Sequence, residues 1–233
     1  MTTVYLVPSV LAENAIETIP AYILPAVKNS QVIFAENERT ARRFLKTLDR
    51  TIVIDDFEWF PIHKAESEQI QNFQLKIKEG KNIAIISEAG CPGVADPGQI
   101  LVAEAQRSGC IIKPLTGPSS ILLALMASGM NGQQFAFCGY LPVDSLARNK
   151  KIAELEIDSK KNDSTKIFIE TPYRNDQMFD ALIKTCSPQT MICVAANLTA
   201  ADENIKTKTV AEWKNNKPLL HKQPVIFLMY AGT

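Results

Sequence analysis

The chain has 233 residues, 46% hydrophobic and 21% charged, with 25 basic and 25 acidic side chains that cancel. This length supports one large domain or two smaller ones with real cores, and the composition is that of an ordinary globular protein. Zero net charge excludes a uniformly basic surface and leaves only a local basic patch.

The chain starts with MTTVYLVPSV, which has neither a basic segment before its apolar run nor a secretory cleavage pattern. No apolar run approaches the roughly 20 residues that span a bilayer, so no membrane is expected. Candidate strands at 3–7, 31–35, 51–54, 82–87 and 110–113 alternate with helical segments near 15–28, 36–48, 66–79 and 98–108. That alternation predicts a largely parallel sheet covered by helices. A helix at 118–129 (PSSILLALMASG) follows, with proline at its start and glycine at its end.

The second half has another rhythm. FAFCGYLP (135–142) leads into a charged helix near 145–157, and KNDS (161–164) makes a turn. Strands follow at 165–170, 190–195, 205–210 and 224–230. IKTKTV alternates, as an antiparallel strand with one wet face does. The reading is two α/β domains, 1–133 and 134–233, the second with a mixed sheet. The five cysteines are odd in number and form no C-x-x-C pair, which predicts reduced thiols in a cytoplasmic protein. His63 and His221 match no zinc spacing, so no metal is expected.

The chemistry centres on SEAGCPGVADPG (87–98), at the carboxyl end of a predicted strand, where ligands of open α/β sheets bind. Glycines there let the backbone approach a ligand, and prolines hold the loop in shape. A tight strand-to-helix connection reads the same way. No G-x-G-x-x-G or G-x-x-x-x-G-K-[ST] occurs, so a ligand gripped through phosphates is not expected.

This loop, together with LTGPSSILLALMASG (115–129), FCGYLP (137–142), FIETPYR (168–174), AENERTARRFL (35–45) and AANLTAADENIKTKTVAEW (195–213), resembles the tetrapyrrole methylase superfamily. Within it the chain is most similar to the ribosomal RNA small subunit methyltransferase I branch. The resemblance implies a two-domain class III methyltransferase, usually a homodimer, holding S-adenosylmethionine in a cleft between domains. By motif, Ala89, Gly90, Cys91 and Val94 line one side of the cofactor site. Ser119 and Ser120, at a helix start, face the methionine carboxylate. From the second domain come Glu170, Asn197 and Leu198. Glu88 or Asp96 favours the sulfonium, or else serves as a cap or turn acid. On this reading Gly90→Val blocks the cofactor while leaving the fold cooperative. The reaction implied is 2'-O-methylation of a cytidine ribose in 16S ribosomal RNA of the 30S subunit, by in-line attack of the ribose oxygen on the methyl carbon. The residues name no general base.

Two segments depart from the branch. Its first loop is glycine-rich and ends in glycine-aspartate, whereas here it is SVLAEN with Glu13 and Asn14; its charged residues around leucine-threonine become Ala195, Ala196 and Ala200. An enzyme of a tetrapyrrole or other small molecule, or a non-catalytic relative binding cofactor or RNA, therefore stands beside the RNA reading. Arg39, Arg42, Arg43 and Lys46 form one helical stripe opposite Ala41, Phe44, Leu45 and Leu48. The stripe is a phosphate grip or a solvated face, and Arg174 is a further candidate for RNA. Tyr140 and Tyr173 stack on a base or pack against the protein.

Overall fold

The structure is a computed structural model that describes residues 1–62 and 66–232; His63 lies outside them. The chain divides into two units, Met1–Ser119 and Ser120–Thr233.

In the first unit β1 (Thr3–Val7), β2 (Val32–Ala35), β3 (Glu58–Pro61), β4 (Ile83–Ile86) and β5 (Ile111–Pro114) form a parallel sheet in the order β3-β2-β4-β1-β5. Strands in the middle of such a sheet are covered on both faces and read as unbroken apolar runs. VIFA and IAII fit this, and every residue of β2 and β4 is buried. Successive side chains go to opposite faces. Tyr5, Val7, Ile33, Ala84 and Ile86 join one core with α1 (Ile23–Lys28) and α2 (Glu38–Leu48). Val4, Val32, Phe34, Ile83 and Ile85 join the other with α3 (Ile70–Lys78) and α4 (Gln99–Arg107). Phe34 stacks on Phe60 and meets Phe73 edge-on, with centroids 4.9 and 5.2 Å apart; full burial of one such ring contributes about 1.5–3 kcal/mol.

Two expected elements are corrected. TIVI (51–54) is no strand: Ile52 drops into the α2-side core, Ile54–Asp56 makes a 3-10 turn, and the edge strand is EWFP, β3. The helix expected over 15–28 is interrupted by Pro20, leaving a 3-10 turn at Ile16–Thr18 and then α1, which tolerates Pro25 only because it falls in the first turn.

The topology positions a site. β1 and β4 are neighbours, yet the chain leaves β1 through α1 on one face toward β2, and leaves β4 through α4 on the other face toward β5. Where connections diverge in this way, a crevice opens beyond the carboxyl ends of the two strands. The loop after β1 and the 87–98 loop after β4 meet there, tied by the antiparallel bridge of Ser9 and Gly90.

In the second unit β6 (Phe135–Tyr140), β7 (Thr165–Ile169), β8 (Met191–Ala196), β9 (Asn204–Thr209) and β10 (Val225–Tyr230) form a sheet ordered β6-β7-β10-β8-β9. β6 and β7 are parallel and the remaining pairs antiparallel, a mixed sheet as expected. One face carries α6 (Ser145–Asn162), α7 (Asn175–Thr185) and α8 (Val210–Trp213), which bury Phe168, Ile192, Val194 and Phe227. α5 (Ser120–Ser128) lies on the other face, where Thr207 of β9 donates to the Ser128 carbonyl at 2.8 Å. The division therefore falls before α5, ahead of the expected 133/134 boundary. α6 runs to Asn162, past the expected 157, and ends at Asp163, which takes a left-handed conformation (φ 47°). α7 is an element absent from the expectations, although Met178, Ala181 and Leu182 carry its buried face.

Candidate functional site

The 87–98 loop owes its shape to backbone. Gly90, Gly93, Ala95 and Gly98 all have positive φ, at 73°, 76°, 65° and 126°. Gly90 accepts from the Ser9 N–H at 2.8 Å and donates to its carbonyl at 3.1 Å, while the Ser9 hydroxyl donates to the Ser87 carbonyl at 2.8 Å. The Cys91 thiol donates to the Pro118 carbonyl at 3.6 Å, bringing Gly90–Cys91 beside Pro118–Ser119. Ser119 immediately precedes α5 and Ser120 opens it. Glu88, Ala89 and Val94 are exposed at the rim. A side chain at Gly90 would combine an unfavourable φ with contact to Leu11 Cδ2 at 3.3 Å. Gly90→Val therefore perturbs the loop itself as well as the space beside it.

The start of α4 is closed to anions, since Glu66 Oε1 accepts from the Ile100 and Leu101 N–H groups at 2.7 and 3.1 Å. Sequence reasoning missed this cap. It also missed Glu36, although that residue directly follows β2, at the ligand end of the sheet. The Glu88 N–H donates to Glu36 Oε2 at 2.8 Å, and Glu88 Oε1 accepts from Asn37 Nδ2 and Thr40 Oγ1 at 3.2 and 3.3 Å. Half-buried Asp96 is pushed up to about 7, first by burial and then by the charges of Glu36 and Glu88. Burial, with Asp96 second, also raises the Cys91 thiol. Glu36 and Glu88 thus put two carboxylates at this end of the sheet, a surrounding that disfavours phosphate.

The basic stripe does not act as one surface. Arg42 pairs with Glu38 and lies over the Trp59 ring, 5.0 Å from its centroid. Lys46 donates to the carbonyls of Arg50 and Ile52 at 3.2 and 2.6 Å, tying the segment after α2 back to the helix. Arg39 and Arg43 remain exposed, Arg43 lying 3.7 Å from Glu13.

In the second unit the predicted residues gather at the carboxyl ends of β7 and β8. Arg174, expected on the substrate, instead donates Nε and Nη2 to Glu170 Oε1 at 3.0 and 2.5 Å. The Glu170 side chain is fully buried, and its Oε2 has no hydrogen-bond partner. Asn197 and Thr199 have positive φ (53° and 69°). They are held by Asn197 Nδ2 donating to Asp202 at 2.7 Å and the Thr199 N–H donating to Glu203 at 2.7 Å. Leu198 is buried. Pro224 O accepts from the Asn197 N–H at 3.0 Å, and Pro172 O accepts from the Lys222 N–H at 3.0 Å, so the 222–224 segment links both loops. The buried Asn175 Oδ1 and Thr199 Oγ1 are also unpartnered, so this end of the sheet holds three orphan acceptors. Ala195 and Ala196 are buried within β8. Tyr140 and Tyr173 are exposed, and Tyr173 meets His221 edge-on at 6.2 Å. All five cysteines are free thiols, and among the described residues no helix is long and apolar enough to cross a membrane.

A parallel sheet whose connections diverge at β1 and β4, and a mixed sheet flanked by helices, define a two-unit α/β protein. Residues 17–214 match the family of tetrapyrrole (corrin/porphyrin) methylases, and the chain belongs to that family. It is 33% identical over 147 residues, 63% of its length, to ribosomal RNA small subunit methyltransferase I of Vibrio cholerae. It is 30% identical over 92% of its length to the protein of that name from Bacillus subtilis, covering 71% of that relative. The chain spans 50% of the length of the Vibrio relative and 60% of the one from Haemophilus influenzae. Among solved structures, the methyltransferase CobJ superposes with a TM-score of 0.67 at 16% identity, covering 99% of this chain and 94% of CobJ. Uroporphyrin-III C-methyltransferase from Thermus thermophilus, solved with S-adenosylhomocysteine, gives 0.60 at 15% identity, over 98% and 97% of the two chains.

Proposed function

We propose that the chain is an S-adenosylmethionine-dependent methyltransferase acting on ribosomal RNA, at a ribose 2'-hydroxyl of the 16S molecule. The observation that carries the cofactor assignment is the glycine-built loop after β4, bridged to the loop after β1, with the Glu36 and Glu88 carboxylates gathered beside it. S-adenosylmethionine fits that chemistry, because it is cationic at sulfur and at its amino group and carries no phosphate. When bound, it supplies a methyl group activated for transfer by the positive sulfur.

The chain's own residues then have distinct tasks. Ala89, Gly90, Cys91 and Val94 form the wall of the cradle, and the bridge to Ser9 keeps it from collapsing. Ser119 and Ser120 offer hydroxyl and backbone donors at the start of α5 for a carboxylate. The Glu88 carboxylate, beside Glu36, favours the cationic centre. Within the second unit, Glu170 with its unpaired Oε2, Asn197 and Leu198 are the candidate ligand contacts. Holding two reactants in line is the main catalytic contribution expected of such a site. The substrate assignment is supported by the names of the relatives above. An enzyme of ribosomal RNA works in the cytoplasm, and we propose a homodimer, which light scattering tests.

The deciding experiment is calorimetric titration with S-adenosylmethionine and S-adenosylhomocysteine, followed by labelled-methyl transfer to 30S subunits, naked 16S RNA and a porphyrinoid. Micromolar binding near one site per chain and transfer to an RNA substrate are expected. Failure of either ligand to bind, with and without RNA, overturns the proposal. Binding without transfer to any substrate supports instead a cofactor-binding relative, the reading that the uncharged, buried Ala195 and Ala196 favour.

A further inference from the structure

A cavity of about 360 Å³ lies between the loop after β1 and α2, within the size range of small-ligand clefts, roughly 300–1,000 Å³. Its apolar walls are Val10, Ile16 and Phe44, which continue the core beneath α2. Its polar lining is Glu13, Asn14, Thr40, Arg43 and Thr47. The cavity adjoins the cofactor crevice through one side chain: Thr40 lines it, and the Thr40 hydroxyl donates to Glu88 Oε1 at 3.3 Å. Glu13 and Asn14, from the loop after β1, supply the polar lining opposite α2.

We propose that this cavity holds an unpaired base of the RNA strand, with Glu13 and Asn14 reading its edge and Arg43 holding an adjacent phosphate. The inference rests on the RNA-methylating reading above and adds to it the part of the strand that is recognised. Apolar walls that include the Phe44 ring suit the face of an unstacked base, the usual target of sequence-specific RNA recognition. A carboxylate at the rim accepts from an exocyclic amine, which cytosine and adenine carry and uracil lacks. An exposed Arg43 gives the salt-dependent backbone contact. Its existing pairing with Glu13 is loose, at 3.7 Å with side chains 63% and 89% exposed, and such pairs are worth little. A phosphate therefore displaces Glu13 from Arg43 at small cost and frees the carboxylate for the base.

The test is fluorescence anisotropy of the full chain with labelled short oligo(C), oligo(A) and oligo(U) at fixed low salt, beside calorimetry with S-adenosylhomocysteine. The wild type is expected to bind oligo(C) and oligo(A) roughly tenfold more tightly than oligo(U). Glu13→Gln places an amide donor that uracil can use, and the preference should shrink to within about threefold. Thr47→Phe fills the cavity from an exposed helix position and should weaken all three RNAs. Both variants should bind S-adenosylhomocysteine as the wild type does, which separates a lost base site from a lost fold. Equal binding of the three RNAs by the wild type, an undiminished preference in Glu13→Gln, or undiminished affinity in Thr47→Phe overturns the base pocket and leaves the RNA reading standing. No RNA binding at all, with S-adenosylhomocysteine still bound, overturns both.

Discussion

The loop at 87–98 and the loops at 170–175 and 197–203 stand at the carboxyl ends of their sheets, but they are built from opposite materials. The first is shaped by main chain: four positive-φ residues, a two-bond bridge to Ser9 and a proline immediately before each of Gly93 and Gly98. The second is shaped by side chains: Arg174 on Glu170, Asp202 on Asn197, Glu203 on Thr199. A main-chain loop leaves its own polar atoms satisfied and fails when a Cβ is added. A side-chain loop leaves orphan acceptors and fails when one partner of a charged pair is removed. The two loops should therefore respond to different mutations.

The largest effect should come from the side-chain loop. Arg174→Ala leaves the Glu170 carboxylate buried without its cation, and removing one partner of a buried pair costs about 3–5 kcal/mol. Urea unfolding measures this, and a loss below the scatter of surface mutants would mean that the orphan oxygen is not a sign of a committed charge. A smaller effect, about 1–3 kcal/mol, is expected at the main-chain loop's support. A Cβ at Gly117 would fall on the ring of Pro8, which cannot swing aside. Gly117→Ala should lower the thermal midpoint and weaken S-adenosylhomocysteine together, whereas wild-type values for both would show that the loops are not braced there.

The smallest effect is confined to a pH window. Asp96 has its folded pKa raised from 3.8 to about 7, so the folded state holds a proton that the unfolded chain has already released. Stability from this group is present below about pH 4 and falls as pH rises through 7. Asp96→Asn should remove that fall. The wild-type-minus-variant difference is then on the order of 1 kcal/mol across the window, after discounting for partial exposure. Taking the difference matters because Asp49, Glu58 and Asp158 have lowered values and act in the opposite direction. A flat difference curve would remove the electrostatic argument for a cationic ligand.

Legibility followed the range of the interaction. TVYLV, VIFA and IAII were readable because a strand covered on both faces needs an unbroken apolar run, whatever surrounds it. The glycine-proline loop was readable because positive φ selects glycine. TIVI misled because β-branched residues satisfy a core from a turn as well as from a strand, and nothing local distinguishes the two. α7 is legible in the spacing of Met178, Ala181 and Leu182, directly after the TPYR motif. The basic stripe was correctly placed on one helix face. That Arg42 turns to Trp59 and Lys46 to two carbonyls depends on segments far along the chain or beyond the helix end, which helical periodicity does not encode.

By itself, then, the sequence determined the alternating α/β plan, the mixed second sheet, the family and the loop at the end of β4, because each is written in residues close together or in a motif copied whole. Only the tertiary structure decided that β1 and β4 are neighbours with diverging connections. It alone brought Glu36 beside Glu88 and Asp96, gave Arg174 to Glu170, and opened a cavity between Glu13 and Arg43. Each of these joins residues distant along the chain, and their interaction energies exist only once the sheet has brought them within a few ångströms.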